Sequence, residues 1–245
     1  MTYEFTYDWK AMLAVIAILV VATRILYLLI FRVAAFREVR ELNRVADEKK
    51  MARPRYREGV KASNRAGLFT NLFFYAAVLP WFLSFDARPL WRHAVDVVAV
   101  LLVFDFLYYL THRFVFHDGF LRKVHALHHQ ARTPTHMDGL FVHPLETAIG
   151  IVLFQGSIPI VALATGAPLS AYSMAVATLL FTQLNILNHD WVNLRGFPYS
   201  VVSYITGVHA SHHIDMNHGN YATLTMLYDR IFGTYEAPVS RPTAS

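Results

Sequence analysis

Thirteen histidines occur in this chain of 245 residues, and twelve of them follow residue 111. Nine fall into four groups: His112 and His117 in THRFVFH; His125, His128 and His129 in HALHH; His189 in LNHD; and His209, His212 and His213 in HASHH. Positions i, i+3 and i+4 share one face of a helix, so each HxxHH motif aims three imidazoles into one volume. The first and second histidine of a triplet are expected to hold one metal while the third reaches a neighbouring metal, so that two triplets frame a pair. His112 and His117 are five apart, about 140° around a helix of 3.6 residues per turn, and need a helix end or a bend. Nine imidazoles exceed the four ligands of a tetrahedral zinc. A dimetal centre is the economical reading, and imidazole suits zinc, copper, iron and nickel alike. The chain has no cysteine, which excludes thiolate metal sites, iron–sulfur clusters and cysteine nucleophiles.

Carboxylates stand near these histidines. Asp105 precedes His112 by two helical turns, with Tyr108 and Tyr109 between them; Glu146 follows His143; Asp190 follows His189; Asp215 follows the last triplet. A carboxylate that accepts the far N–H of a ligating histidine fixes its tautomer and raises its basicity. Asp105, Tyr109, Glu146 and Asp190 are the candidates for such supporting roles. Asp105 lies about 10 Å inside an apolar segment, where an unpaired charge is costly, which predicts a histidine or tyrosine partner.

The elements that carry these groups read as membrane helices. Hydrophobic residues make up 55% of the chain and charged residues 16%, against about 45–50% and about 25% in soluble domains. Five segments approach the span of about 20 apolar residues that a bilayer requires: 11–31, 68–85, 94–111, 145–166 and 170–188. The apolar run 199–208 is too short and is expected at the interface. Pro80 and Pro159 are tolerable inside membrane helices. The net charge of +5 could suggest nucleic acid, but 11 of the 22 Lys and Arg lie between Arg32 and Arg65, beside the first apolar segment. That placement predicts an amphipathic surface segment held by anionic headgroups. With the N-terminus outside, the inner loops hold 18 basic residues and the outer loops 3, a bias that orients the chain. Every histidine but His93 then falls at the cytoplasmic face. The expected fold is all-α, a polytopic transmembrane helical bundle with a cytoplasmic-face, histidine-rich dimetal cap. Residues 1–67 form a first membrane helix and a basic segment, 68–236 a catalytic domain, and 237–245 a flexible tail.

The motifs DFLYYLTHRFVFH, KVHALHHQARTPTHMDGLFVHPLE, NILNHDW and HASHHIDMNHGNYATLTMLYDRIFGTY resemble the fatty acid hydroxylase/sterol desaturase superfamily over roughly residues 95–236. The PTHMDGLFVHPLE stretch is most similar to the sterol desaturase branch. The resemblance implies two iron ions held by histidines, O2 as co-substrate, and hydroxylation or desaturation of a fatty acyl or sterol-like lipid. It implies His112, His117, His125, His128, His129, His189, His209, His212 and His213 as ligands. Asn185 stands where some members carry a further histidine. His143 is the candidate to replace it, the alternative being a residue that merely caps the following helix. His218 is not expected to ligate. The chain has no fused haem domain and no nucleotide-binding glycine motif, so electrons would come from a separate, acidic redox protein docked on the basic face. The membrane would be a bacterial inner membrane or the endoplasmic reticulum. Two rivals are a histidine-rich metal transporter, whose sites belong near the bilayer midplane, and a membrane zinc hydrolase, which needs three protein ligands and an open position. Zinc could also occupy the iron sites in purified protein.

The loop charges generate a test of orientation. A single cysteine introduced near Thr135 should react with membrane-impermeant maleimide only after sealed cells are opened. Labelling from outside would reverse the topology.

Overall fold

The computed structural model describes residues 4–241 and is all-α apart from one two-residue β bridge. Helix α1 spans Trp9–Ile30 and starts at Asp8, whose carboxylate accepts the Ala11 N–H at 2.8 Å. Helices α2 (Ala34–Met51) and α3 (Pro54–Phe73) pack as a hairpin. Helix α4 (Leu90–Thr111) continues directly into a π-helical turn at His112–His117. A four-residue helix α5 (Arg122–His125) leads through short 3₁₀ turns to α6 (Pro144–Thr165). Helix α6 ends at Gly166, whose φ of +65° closes the helix in the left-handed conformation. Helices α7 (Ala171–Asn188), α8 (Tyr199–Ile214) and the short α9 (Leu227–Ile231) complete the chain.

Helix α6 packs on α3 and α4, α4 also packs on α7, and α7 on α1. The core between them is apolar: Val15, Leu79, Val100, Phe104, Phe154, Ile158, Ala162 and Met174 are all buried. One end of the bundle is closed by the parallel pairing of Leu83–Ser84 with Leu169–Ser170 and by Arg88 and Arg92 on the buried Asp96. The histidines occupy the opposite end. The outward faces carry exposed Val20, Leu28, Phe69, Val98, Leu163 and Val176, a lipid-like exterior rather than a water-facing one.

Three helices among the described residues are long and apolar enough to cross a membrane: Trp9–Ile30, Leu90–His117 and Pro144–Thr165. The other two expected spans differ for local reasons. The 68–85 segment is the second half of α3, a helix that starts at Pro54 with polar residues and then breaks into π and 3₁₀ turns at Phe74–Trp81. Helix α7 covers the fifth segment, but Thr178, Thr182, Gln183, Asn185 and Asn188 dilute its apolar character.

The basic stretch is not simply a lipid-facing surface. One face of α2 buries Val39, Asn43 and Asp47 at i, i+4 and i+8, and these grip the loop before α6. The Asn43 side-chain oxygen accepts the His136 N–H at 3.0 Å, and Asp47 accepts the Thr135 hydroxyl at 2.6 Å. Lys50 pairs with the buried Asp138, which also accepts the Tyr56 hydroxyl at 2.8 Å. Tyr56 stacks on Phe141 with ring centroids 4.2 Å apart. The boundary expected at residue 67 falls inside α3. The tail expected to be free from Ala237 is instead held as far as Arg241: the Trp191 indole N–H donates to the Val239 carbonyl at 3.1 Å, and Asn193 accepts the Arg241 N–H at 2.9 Å. Residues 242–245 lie outside the described residues.

The clamp has a measurable consequence. Asp138→Ala leaves Lys50 and Tyr56 without their shared buried partner, a loss of about 3 kcal/mol or more. Thermal unfolding in detergent should show a clear drop in Tm, whereas Glu58→Ala on the exposed face of α3 should leave it within about a degree.

Candidate metal centre

The π-helical turn resolves the five-residue spacing of the first pair. Widening the helix by one residue brings His112 and His117 onto one side, both buried. The HALHH motif is not a continuous helix: α5 ends at His125 and a 3₁₀ turn begins at His128. HASHH lies within the last two turns of α8.

The histidines sort into two sets. His112, His117, His125, His129 and His212 form one, and His128, His189, His209 and His213 the other; within each set one nitrogen per ring lies within 4.8 Å of all the rest. The partition corrects the expected pairing within a triplet. In both motifs the first and third histidines share a set, and the middle one crosses to the other. In HASHH, which is helical, positions i and i+4 are about 40° apart around the helix while i and i+3 diverge by about 60° to the other side, so the i, i+4 pair converges more closely.

Hydrogen bonds fix the tautomers. The Nδ1–H groups of His112, His117 and His212 donate to the carbonyls of Tyr221, Met216 and Gly219 at 2.6–2.7 Å. His189 Nδ1 donates to the Asn185 carbonyl at 3.0 Å, and His125 Nδ1 to Glu146 Oε1 at 2.7 Å. A carbonyl can only accept, so the proton sits on Nδ1 and the lone pair on Nε2. The Nε2 atoms then face one another: 3.0 Å for His112 and His125, 3.1 Å for His129 and His212, 3.3 Å for His128 and His189, and 3.1 Å for both His189–His209 and His209–His213. Where both rings keep the proton on Nδ1, as in the His112–His125 pair, opposed Nε2 lone pairs at that separation repel unless a cation lies between them. Nitrogens bound to one metal at about 2.1 Å stand about 3.0–3.4 Å apart, which matches. The buried His117 Nε2 has no partner within the protein, as a nitrogen reserved for a metal should. The donor set fits two metal ions.

The electrostatics agree. Burial, reinforced by neighbouring imidazoles, holds His125, His128, His129, His209 and His213 well below the ordinary histidine range and takes His212 down to about 3. Neutral imidazole is the form that binds metal.

The supporting residues fall out differently from expectation. Glu146 holds His125, as a carboxylate–histidine pair should. Asp105 makes no hydrogen bond to a histidine or a tyrosine among the described residues. It is buried and accepts the N–H groups of Thr223, Leu224 and Thr225 and the Thr225 hydroxyl at 2.6–3.2 Å. It thereby anchors the loop whose Tyr221 carbonyl orients His112. Tyr109 accepts from Arg113 at 2.8 Å, lies 3.2 Å from the Thr234 hydroxyl and stacks on Phe232, away from the nitrogens. Asp190 stands 3.4 Å from His136 and raises its pKa. His143 belongs to neither set; its Nδ1 accepts the Leu145 N–H at 3.2 Å and caps α6. His218 Nδ1 donates to the Ser211 carbonyl, also outside both sets.

Sequence reasoning missed the residues that hold the carbonyls. Asp229 accepts the Tyr221 and Ala222 N–H groups at 2.8 and 2.9 Å. Asn220, at φ +61°, donates to the Val208 and Glu236 carbonyls. A Cβ on Gly219 would lie 1.9 Å from the Thr234 carbonyl, and one on Gly139 would lie 2.9 Å from His189 Nδ1. The run HGNYATLTMLYDRIFGTY is therefore a scaffold for imidazole acceptors.

A family model described as fatty acid hydroxylase matches residues 97–234. The chain belongs to the fatty acid hydroxylase family. The matched span holds both histidine sets of this hydroxylase-family chain, together with Asp105 and Asp229. Methylsterol monooxygenase 1 of Rattus norvegicus is 27% identical over 155 residues, 62% of this chain and 50% of that protein. Ornithine lipid hydroxylase OlsE of Rhizobium tropici is 28% identical over 158 residues, 63% of this chain and 46% of that protein. Very-long-chain aldehyde decarbonylase GL1-4 of Oryza sativa subsp. japonica is 28% identical over 180 residues, 69% of this chain and 28% of that protein. The chain thus matches about half the length of the first two and less of the third. No solved structure matches.

Two outcomes follow for the centre. Glu146→Gln should weaken metal affinity about 10–100-fold without unfolding the protein, measured by competition with a chelator. In the metal-free protein, the unfolded chain takes up protons near pH 6.5 that the buried imidazoles refuse. Stability should therefore fall as pH drops below about 6.5 and stay level above it. A Tm independent of pH between 8 and 5.5 would contradict the burial of neutral ligands.

Proposed function

We propose that this chain is an integral-membrane di-iron oxygenase that hydroxylates or desaturates a lipid. His112, His117, His125, His129 and His212 would hold one iron, and His128, His189, His209 and His213 the other. The observation that carries the reading is the convergence of two sets of imidazole lone pairs at the inner end of an apolar cavity. That cavity has a volume of about 540 Å³ and runs between α3, α4, α6 and α7, and His112, His128, His189 and His209 form part of its wall. Its size is that of a small-molecule site. Bound there, an iron pair would supply the O2 activation and one-electron chemistry that side chains lack.

The protein's own groups do the rest. Leu68, Phe104, Phe154 and Phe181 line the cavity, bind a hydrocarbon chain and exclude water. Tyr108, packed on His112 with centroids 5.1 Å apart, limits how closely the substrate approaches. Glu146 keeps the His125 proton on Nδ1. The nitrogens sit at one end of the helices, where a transporter would place them midway, and they outnumber what a zinc hydrolase requires. The excess of Lys and Arg in the loops at this end supports a cytoplasmic placement. A separate polar cleft, also about 540 Å³, reaches His129 and His213 from outside the cavity and is lined by Arg122 and Arg132. An acidic electron-transfer protein would dock there. The catalytic unit takes in the α2–α3 hairpin as well as residues 68–236, because the hairpin grips the loop that carries Gly139 against His189.

Protein loaded anaerobically with iron, then given reductant, O2 and a membrane lipid extract, should consume O2 as a lipid gains one oxygen or loses two hydrogens by mass spectrometry. His128→Ala should reduce this by a hundredfold or more, since it removes a ligand outright. Equal turnover by zinc-loaded protein would overturn the reading.

A further inference from the structure

The lipid cavity is not apolar throughout. Gln155 on α6 and Thr178 on α7 both line it, and both are buried, at 2% and 5% exposure. Gln155 Oε1 and Thr178 Oγ1 have no hydrogen-bond partner within the protein. A polar group so placed in a membrane helix is costly unless something satisfies it. Thr178 does not bond back to its own helix as Thr182 does, whose hydroxyl donates to the Thr178 carbonyl at 2.9 Å.

A chain of hydrogen bonds fixes which atom of Gln155 is left over. The Gly67 carbonyl can only accept, so the group facing it at 3.0 Å is the Asn71 amide nitrogen. Asn71 Oδ1 then accepts from Gln155 Nε2 at 2.8 Å. The remaining atom is the Gln155 oxygen, an acceptor. A ligand group that meets it must donate. Thr178 can both donate and accept. A hydroxyl can give a hydrogen to Gln155 and can accept one from Thr178, whereas a ketone, ester or ether oxygen can only accept.

Each of these atoms lies deep along its own helix from the histidine end. Gln155 is nine residues along α6 from Glu146, which bonds His125, or about 14 Å at 1.5 Å per residue. Thr178 is eleven residues along α7 from His189, or about 16 Å. Such a depth is about half of a hydrocarbon core roughly 30 Å thick. Phe104, Phe154 and Phe181 close together beside them, the last two stacked with centroids 4.0 Å apart.

We propose that the cavity binds a lipid bearing a hydroxyl group remote from the carbon presented to the histidine end, with Gln155 and Thr178 as the residues that select it. The inference rests on reading the cavity as the substrate site, and it names the chemical class of that substrate: a neutral hydroxylated lipid whose hydroxyl lies about 15 Å from the reacting position. The hydroxyl is a recognition handle and takes no part in the reaction.

Photolabelling in nanodiscs tests this without metal turnover. The probes are an unbranched long-chain alcohol with a diazirine near its far end and the matching diazirine alkane. The alcohol should label the peptides that carry Tyr108 and Ile186, which line the cavity toward the histidine end, and should do so about tenfold more than the alkane. Thr178→Val, nearly isosteric, should cut alcohol labelling about fivefold and leave alkane labelling unchanged. Gln155→Met should do the same, and Thr178→Val decides the matter if that variant does not fold. Equal labelling by both probes, no cavity labelling by the alcohol, or an undiminished preference in Thr178→Val would each overturn the proposal. Because labelling requires neither iron nor O2, loss of oxygenase activity in the loaded enzyme bears on the proposed reaction and not on the hydroxyl site.

Discussion

Four backbone carbonyls, those of Asn185, Met216, Gly219 and Tyr221, accept Nδ1–H bonds from His189, His117, His212 and His112. Each bond decides which nitrogen of its ring keeps the proton, and so which lone pair faces the interior. Glu146 does the same for His125. Much of the remaining polar structure exists to hold those carbonyls still. Asp105 anchors the loop from α4, Asp229 ties its two arms together, and Asn220 bridges it to α8 and to the segment after α9. All three are buried and act as splints, although only Asp105 reads from the sequence as a group that supports a histidine.

The arrangement is costly without a cation. Nine neutral imidazoles are packed together with five Nε2 pairs at 3.0–3.3 Å. Metal binding would therefore contribute directly to the stability of this end of the bundle. The opposite side of the centre has its own support. The α2–α3 hairpin fixes the loop at 135–141 through Asn43, Asp47, Lys50 and Tyr56, and that loop sets Gly139 against the His189 ring. A side chain at Gly139 would displace the His189 ring, which meets both His128 and His209.

The histidine motifs made the chemistry legible from sequence because ligand type and spacing are local properties. So were the apolar helices, whose composition is as local as their length. The need for a bend at His112–His117 was also legible, since five residues do not close on a regular turn; the π-helical turn is the form it takes. What could not be read was long-range pairing. Asp105 reaches a loop more than a hundred residues away, and nothing in its neighbourhood distinguishes a loop anchor from a partner for a nearby histidine. His143 had two roles open to it, and the capping geometry depends on backbone angles that the residue type does not specify. The basic stretch concealed a buried face because Asn43 and Asp47 are polar, so a pattern search for apolar positions passes over them.

The centre lies where an apolar cavity inside the bundle meets the polar loops at its end. A separate polar cleft lined by Arg122 and Arg132 also reaches the centre, at His129 and His213. The most direct test of the account is iron K-edge X-ray absorption on protein loaded anaerobically and assayed for metal content. Two irons per chain, each with a nearest shell of nitrogens and the outer-shell scattering of four or five imidazoles, is the predicted result. One iron per chain, or a shell dominated by oxygen with little imidazole scattering, would contradict it.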